Sequence, residues 1–325
     1  GQKFTPWGFN YDHDAGGRLL EEYWVREWDT VAQDFAEMKE LGANVARIHL
    51  QTGQFMETPE RPNEGSLRQL QKLLELAERT GVYLNLTGLA CYDKSGVPAW
   101  FDELPEARRW DVQERFWRAI ARVCRASPAV FCYDLMNEPV LTEDKSGKRE
   151  WTPGPPLGGK YFVQRLTLNP AGRSRQEIAE AWVAKMTGAI REEDPRHLIT
   201  VGVIPWAHTW PNAKPVFYSP EVARHLDFAS VHFYPRAGEV EKAVKALQVY
   251  DIGKPLVIEE MFPLACGIDE FSQFIDQSRA IADGWIGFYW GKTIAEYEAA
   301  ERDIAAEITL RWLKWFRDTP LAPRG

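Results

Sequence analysis

At 325 residues, 45% of them hydrophobic and 26% charged, the chain is long enough to bury a sizeable core and too apolar to be disordered. A net charge of −8 and a pI near 5.5 argue against nucleic acid or an anionic membrane as the main partner, and the lack of any 18-residue apolar run excludes a membrane-spanning helix. Four cysteines without CxxC spacing and six histidines without HxxxH or HxH spacing give no metal-binding pattern, so neither metal nor cofactor is expected.

Short β-rich runs and amphipathic helical runs alternate from end to end. The chain opens "GQKFTPWGFN", which has no signal-peptide pattern, and "KFTPWGFNY" reads as the first strand. A helix follows in "DTVAQDFAEMKELGAN", from an Asp29/Thr30 cap to a stop at Gly42, then a strand in "NVARIHLQ" (44–51). "SLRQLQKLLELAERTGV" is a helix that stops at Gly81, before the strand "VYLNLTGLA" (82–90). The fourth strand, "VFCYDLMNE" (130–138), leads into a long loop over 141–174. The next helix opens at a Ser174/Glu177 capping box and ends before Pro195. "LITVGVIPW", "FASVHFYP", "PLVIEEMF" and "WIGFYWGK" are strands five to eight, and "DIAAEITLRWLKWFRD" is the closing helix.

Most of these strands are too apolar to have one face in water, as parallel strands are. Eight of them alternating with about eight helices predict a single-domain (β/α)₈ barrel, a TIM barrel of the α/β class. No GxGxxG or P-loop follows the first strand, which disfavours an open doubly wound sheet. A plain barrel takes about 250 residues, so the surplus sits in loops, most of it after strand four on the face where such barrels place active sites.

Glu138 and Glu260 close the fourth and seventh strands, which puts them roughly across the barrel mouth from one another. Two carboxylates there can flank a substrate: one as a neutral acid for the leaving oxygen, the other ionised to attack carbon or activate water. Adjacent strand residues point to opposite sides, so only one of Glu259 and Glu260 should face the mouth, and parity does not choose between them. Cys124 and Cys132 read as small buried residues, while Cys91 and Cys266 lie just beyond strands and are candidates for a loop-to-loop pair. Trp117, Trp182, Trp312 and Trp315 fall in helices and read as packing. Trp100, Trp151, Trp206 and Trp210 lie in loops after strands three, four and five, where an indole can stack on a sugar, and Trp206 is the best placed.

The strand-end "NEP" followed three units later by "KPLVIEE" resembles the retaining glycosidases of clan A, most of all glycoside hydrolase family 5, the cellulase and mannanase family. The resemblance implies Glu138 as acid/base, Glu260 as nucleophile, and Glu259 in support behind it. It also implies Arg47, in "ANVARIHL", as the brace of the nucleophile, and Asn137 as the partner of the sugar 2-hydroxyl. In "SVHFYP" it marks His232 and Tyr234, the tyrosine bonding the nucleophile, and in "GFYW" it marks Trp290 as a sugar platform. The family often has a histidine at the end of strand three, where this chain reads "NLTGLACYD". The implied activity is retaining hydrolysis of a β-1,4-linked mannan or glucan, with no cofactor, by a monomer that is secreted or periplasmic. Exo action as a β-mannosidase or β-glucosidase, transglycosylation, and a non-catalytic glycan-binding barrel are the alternatives.

Overall fold

The computed structural model describes residues 4–141, 150–211, 213–301 and 303–319. Its strands are β1 (Trp7–Asn10), β2 (Val45–Gln51), β3 (Tyr83–Ala90), β4 (Val130–Asp134), β5 (Leu198–Thr200 continued by Gly202–Val203), β6 (Ala229–His232), β7 (Leu256–Glu260) and β8 (Gly284–Phe288). All pairings among them are parallel and each strand lies beside its sequence neighbours, with β8 returning to β1, for example Gly8 opposite both Val45 and Ile286. The expected (β/α)₈ barrel is therefore present. Its fifth strand is interrupted at Val201: the first segment pairs with β4 and the second with β6. The sequence reads through this point as one apolar run, and the isolated Gly202 is its one sign of an irregularity.

The helices cover the barrel because their apolar residues recur at helical spacing. In α1 (Trp28–Glu40) the buried face is Val31, Phe35 and Met38. The helix starts one residue before the expected cap, with Glu27 at the N-cap position. In α2 (Glu64–Thr80) the face is Leu67, Leu70, Leu74 and Ala77. Asn63 caps it by accepting from the Gly65 and Ser66 amides, and Gly81, at φ 66°, ends it in a left-handed turn. Next come α3 (Glu106–Cys124) and α4 (Arg175–Glu193), the latter with the Ser174/Glu177 capping box in place. The short α5 (Pro220–Ala223), α6 (Val240–Leu247), α7 (Ile268–Ser278) and α8 (Ile304–Asp318) complete the ring.

Two close approaches fix helices onto the wall. A Cβ on Gly88 of β3 would fall 2.3 Å from Trp117 of α3, and one on Gly287 of β8 would fall 2.1 Å from Trp312 of α8. Both indoles are fully buried and lie against bare backbone, so these tryptophans are packing residues. Trp182 is equally buried and donates to Gln113 Oε1 at 2.8 Å.

The barrel interior has two levels. Val45, Cys132, Phe228, Val257 and Ile286 make a separate apolar cluster at the bottom. Two residues further along the same strands come Arg47, Asp134 and Glu259, all completely buried. A buried polar layer of this kind must be satisfied by hydrogen bonds, and it forms the underside of the site described next.

Candidate active site

Arg47 is the hub. Its Nη1 donates to Asn10 Oδ1 and Glu260 Oε1, both at 2.8 Å, and its Nη2 donates to Asp134 Oδ2 at 2.7 Å and Asn137 Oδ1 at 2.9 Å. Burial alone would discourage its charge, but Asp134, Glu259 and Glu260 keep the guanidinium firmly protonated. Asp134 is itself held by Thr87 Oγ1 and the Gly202 amide, both donating at 2.8 Å.

Only one glutamate of "IEEM" faces the mouth, as expected, and it is Glu260, yet both reach this hub. The β7–β6 register shifts between Ile258 and Glu260, and that irregularity breaks strict alternation. Glu259 stays inside the barrel, with Oε1 accepting from Asn85 Nδ2 at 2.6 Å and Oε2 lying 3.9 Å from Arg47 Nε. Burial, then the Asp134 charge, pushes its carboxyl up to about 7. Glu260 turns to the mouth, where Oε1 takes Arg47 and Oε2 accepts from the Tyr234 hydroxyl at 2.6 Å. Burial opposes its ionisation, but His232, Arg47 and Tyr234 together hold it below the usual carboxylate range.

Glu138 arrives differently. Strand β4 ends at Asp134, four residues short of it, and Glu138 sits at φ 46°, a left-handed conformation costly for a residue with a side chain. Its amide donates to Gly202 O at 3.0 Å and Pro139 follows, so both neighbours constrain the strained residue. His232 Nδ1 lies 2.9 Å from Glu138 Oε1 and 3.5 Å from Glu260 Oε1, and ligating atoms of these three residues all fall within 4.8 Å of one another. Burial lowers the His232 pKa, but Glu260 and Glu138 outweigh it and leave it raised. The Arg47 guanidinium already occupies the inner side of Glu260 Oε1, which favours a proton-sharing cluster over a metal centre at these residues.

The structure thus gathers Glu138, Glu260, Arg47, Asn137, His232 and Tyr234 at the barrel mouth, while Trp206 and Trp290 line two separate concavities. Trp290 is half-buried, stacked on Phe288 at 5.4 Å, and lines a concavity of about 550 Å³ with His13, Lys160 and Phe162. Trp206 and Trp210 are exposed, with rings 5.3 Å apart, and line a cavity of about 410 Å³ beside Pro139 and Val140. Trp151 is no platform: it is buried under Arg109 and donates to Asp102 O at 3.2 Å. Trp100 is packed against the core. The proposed Cys91–Cys266 pair is absent, and both are free thiols, Cys91 being buried.

Part of the long loop after β4, residues 142–149, lies outside the described residues. The remainder is tied to the C-terminal ends of β3 and β4. Asn137 Nδ2 donates to Phe162 O at 2.9 Å, the Tyr161 amide donates to Tyr92 O at 2.9 Å, and Gln164 Nε2 donates to Leu89 O at 2.7 Å. Several residues here escaped the sequence reading. His49, two positions beyond Arg47 on the same face, bonds the Tyr92 hydroxyl, and its place on β2 is where i, i+2 spacing could have flagged it. Asp12 and His13, paired at 2.8 Å on the loop after β1, carried no motif.

A family model described as cellulase (glycosyl hydrolase family 5) matches residues 6–291. A mannan endo-1,4-beta-mannosidase of Arabidopsis thaliana is 30% identical over 126 residues, 34% of this chain and 22% of that protein. The exo-beta-1,4-mannosidase Op5Man5 from Opitutaceae bacterium strain TAV5 superposes with a TM-score of 0.70 at 17% identity, covering 98% of this chain and 60% of that one. The chain thus spans less than two thirds of either. A GH5_18 protein from Streptomyces cattleya, in complex with Manβ1-4GlcNAc, gives a TM-score of 0.65 at 14% identity over 99% of this chain and 83% of the other.

Proposed function

From the premise that the chain belongs to glycosyl hydrolase family 5, which makes it a glycoside hydrolase, we propose that it is a retaining β-mannosidase that removes sugars from chain ends. The observation that carries retention is the spacing of the two carboxyls. Oxygens of Glu138 and Glu260 lie within 4.8 Å, whereas inverting enzymes need about 6.5–9.5 Å to seat a water between them.

In this reading Glu260, kept ionised by Arg47 and Tyr234, attacks the anomeric carbon. Glu138 gives its proton to the departing glycosidic oxygen, so the C–O bond breaks as the ester forms. Glu138, now a carboxylate, takes a proton from water; that oxygen bonds to the anomeric carbon and Glu260 is released. Asn137 offers its amide to the 2-hydroxyl and Trp290 stacks on the sugar face.

Exo action is supported by Leu157, Lys160 and Phe162 of the segment after β4, which line the concavity shared with His13 and Trp290 and in this reading wall off the glycone end. Mannose as the sugar is supported by the names of the relatives. The test is product analysis on a β-1,4-mannohexaose, with anomers followed by NMR. Release of β-mannose one unit at a time, abolished in Glu260→Gln, is the expected result. Release of α-mannose refutes retention, internal cleavage refutes exo action, and exclusive cleavage of a β-glucan refutes the sugar assignment.

A further inference from the structure

Four buried polar atoms beneath the site make no hydrogen bond within normal geometry: Arg47 Nε, Ser230 Oγ, His232 Nε2 and Glu259 Oε2. Buried groups of this kind are rare and ask for an explanation. His232, Glu259 and Arg47 converge on Gly202, in the second segment of β5, and Ser230 is its register partner on β6. A Cβ at Gly202 would stand 2.6 Å from His232 Nε2, 2.8 Å from Glu259 Oε2 and 3.3 Å from Arg47 Nη2. A side chain there would overlap both atoms, so His232 Nε2 and Glu259 Oε2 lie against the bare glycine and no more than about 5.4 Å from one another, a span that one bridging water covers.

We propose that Glu259 is a positioning residue for the acid/base: through a water bridging its Oε2 to His232 Nε2 it shares one proton with the histidine, so that His232 Nδ1 keeps its N–H directed at Glu138 throughout the cycle. The inference rests on the double displacement proposed above.

The charge balance requires such a proton. One guanidinium, Arg47, faces three carboxyls, Asp134, Glu259 and Glu260, and His232 stands within reach of Glu138 Oε1 and of the Glu260 Oε1 that Arg47 already holds. The other titratable groups around this cluster are His49 on β2, Cys132 on β4, Tyr92 after β3, Tyr218 before β6 and Tyr234 after it. Burial keeps the cysteine and the three tyrosines neutral and keeps His49 unprotonated. Glu259, with its carboxyl pushed up to about 7, is the group able to hold or release the proton near neutrality. When it holds the proton, neutral His232 accepts at Nε2. When it releases it, imidazolium donates there. In both states Nδ1 remains a donor to Glu138 Oε1, leaving the other carboxyl oxygen to give and take the catalytic proton.

The test compares wild type, Glu259→Gln and Gly202→Ala on two aryl β-mannosides. A dinitrophenyl leaving group needs no proton from Glu138, and a phenyl or alkyl leaving group does. The expected result is that kcat/KM for the poor leaving group falls roughly tenfold or more relative to that for the activated one in both variants. The alkaline limb of the pH profile should also move to lower pH in Glu259→Gln, because a negative charge has been lost beside His232. Gly202→Ala keeps every charge and carries the test if Glu259→Gln does not fold. Equal losses on both substrates mean a merely structural role and overturn the proposal, as does wild-type behaviour in both variants. A wild type that turns over neither substrate refutes the glycosidase reading itself and takes this inference down with it.

Discussion

Tyr234→Phe removes one oxygen and nothing else. Its ring, stacked on Phe288 at a centroid distance of 6.4 Å, keeps its packing, while Glu260 Oε2 loses its 2.6 Å donor. Arg47 at 2.8 Å and His232 at 3.5 Å remain, both on Oε1. A hydrogen bond to a charged group contributes about 1.5–3 kcal/mol, and one pKa unit corresponds to about 1.4 kcal/mol. Loss of this donor therefore raises the Glu260 pKa by about one to two units. The sign follows from the role: the nucleophile must be ionised, so kcat/KM is full above its pKa and falls as pH drops through it. In wild type that pKa is held low against burial by His232, Arg47 and Tyr234. In the variant the acid limb of the kcat/KM profile moves to higher pH, and activity on the acid side is lost first. An aryl glycoside with an activated leaving group isolates this limb from the acid/base. An acid limb that stays where wild type has it, with the fold intact by circular dichroism, refutes the assignment of Tyr234 and weakens that of Glu260.

Gly287→Ala forces a methyl group to 2.1 Å from the fully buried Trp312 ring, and urea unfolding should show a loss of about 3 kcal/mol. Gly188→Ala, in exposed mid-helix with open space around its Cα, should instead gain about 1 kcal/mol in the same assay. Burial pushes the Cys91 thiol up to about 11, so the native protein should leave Cys91 unmodified by a thiol reagent at neutral pH, and adding a reductant should leave the thermal midpoint unchanged. Trp206→Ala removes a stacking surface beside the cavity next to Pro139. It should raise KM for oligosaccharides roughly three- to tenfold, for a loss of about 0.5–1.5 kcal/mol, with little change for small aryl glycosides.

The eight strands were legible because parallel strands buried on both faces leave unbroken apolar runs, and the helices because Gly42, Gly81 and the Ser174/Glu177 pair mark their ends. What eluded the sequence was local irregularity. The break at Val201 falls in an apolar run whose one sign of it is Gly202. The register shift at the end of β7 leaves Glu259 inside the barrel beneath Glu260, so that both approach Arg47, a proximity that alternation alone does not foresee. Glu138 was expected at a strand end, yet it is held in a left-handed turn whose stability comes from Gly202, a residue 64 positions away with no local signature. His49 lay in plain view two residues beyond Arg47, and Asp134 four residues before Glu138, each in step with the alternation of its strand. Asp12 and His13 could not be found, because nothing in a loop sequence says what it will face.

The interruption of the fifth strand has a consequence for assembly. Leu135 N reaches Thr200 O on one side of the break, and Glu138 N reaches Gly202 O on the other. The acid/base is therefore moored to the half of the strand that belongs with β6, while the strand it grows from is moored to the half that belongs with β4. A chain whose first four units have formed but whose ring is open can bury much of its apolar surface and still lack the tether that orients Glu138. Recovery of activity on refolding should accordingly lag recovery of helical signal, and the lag measures ring closure itself.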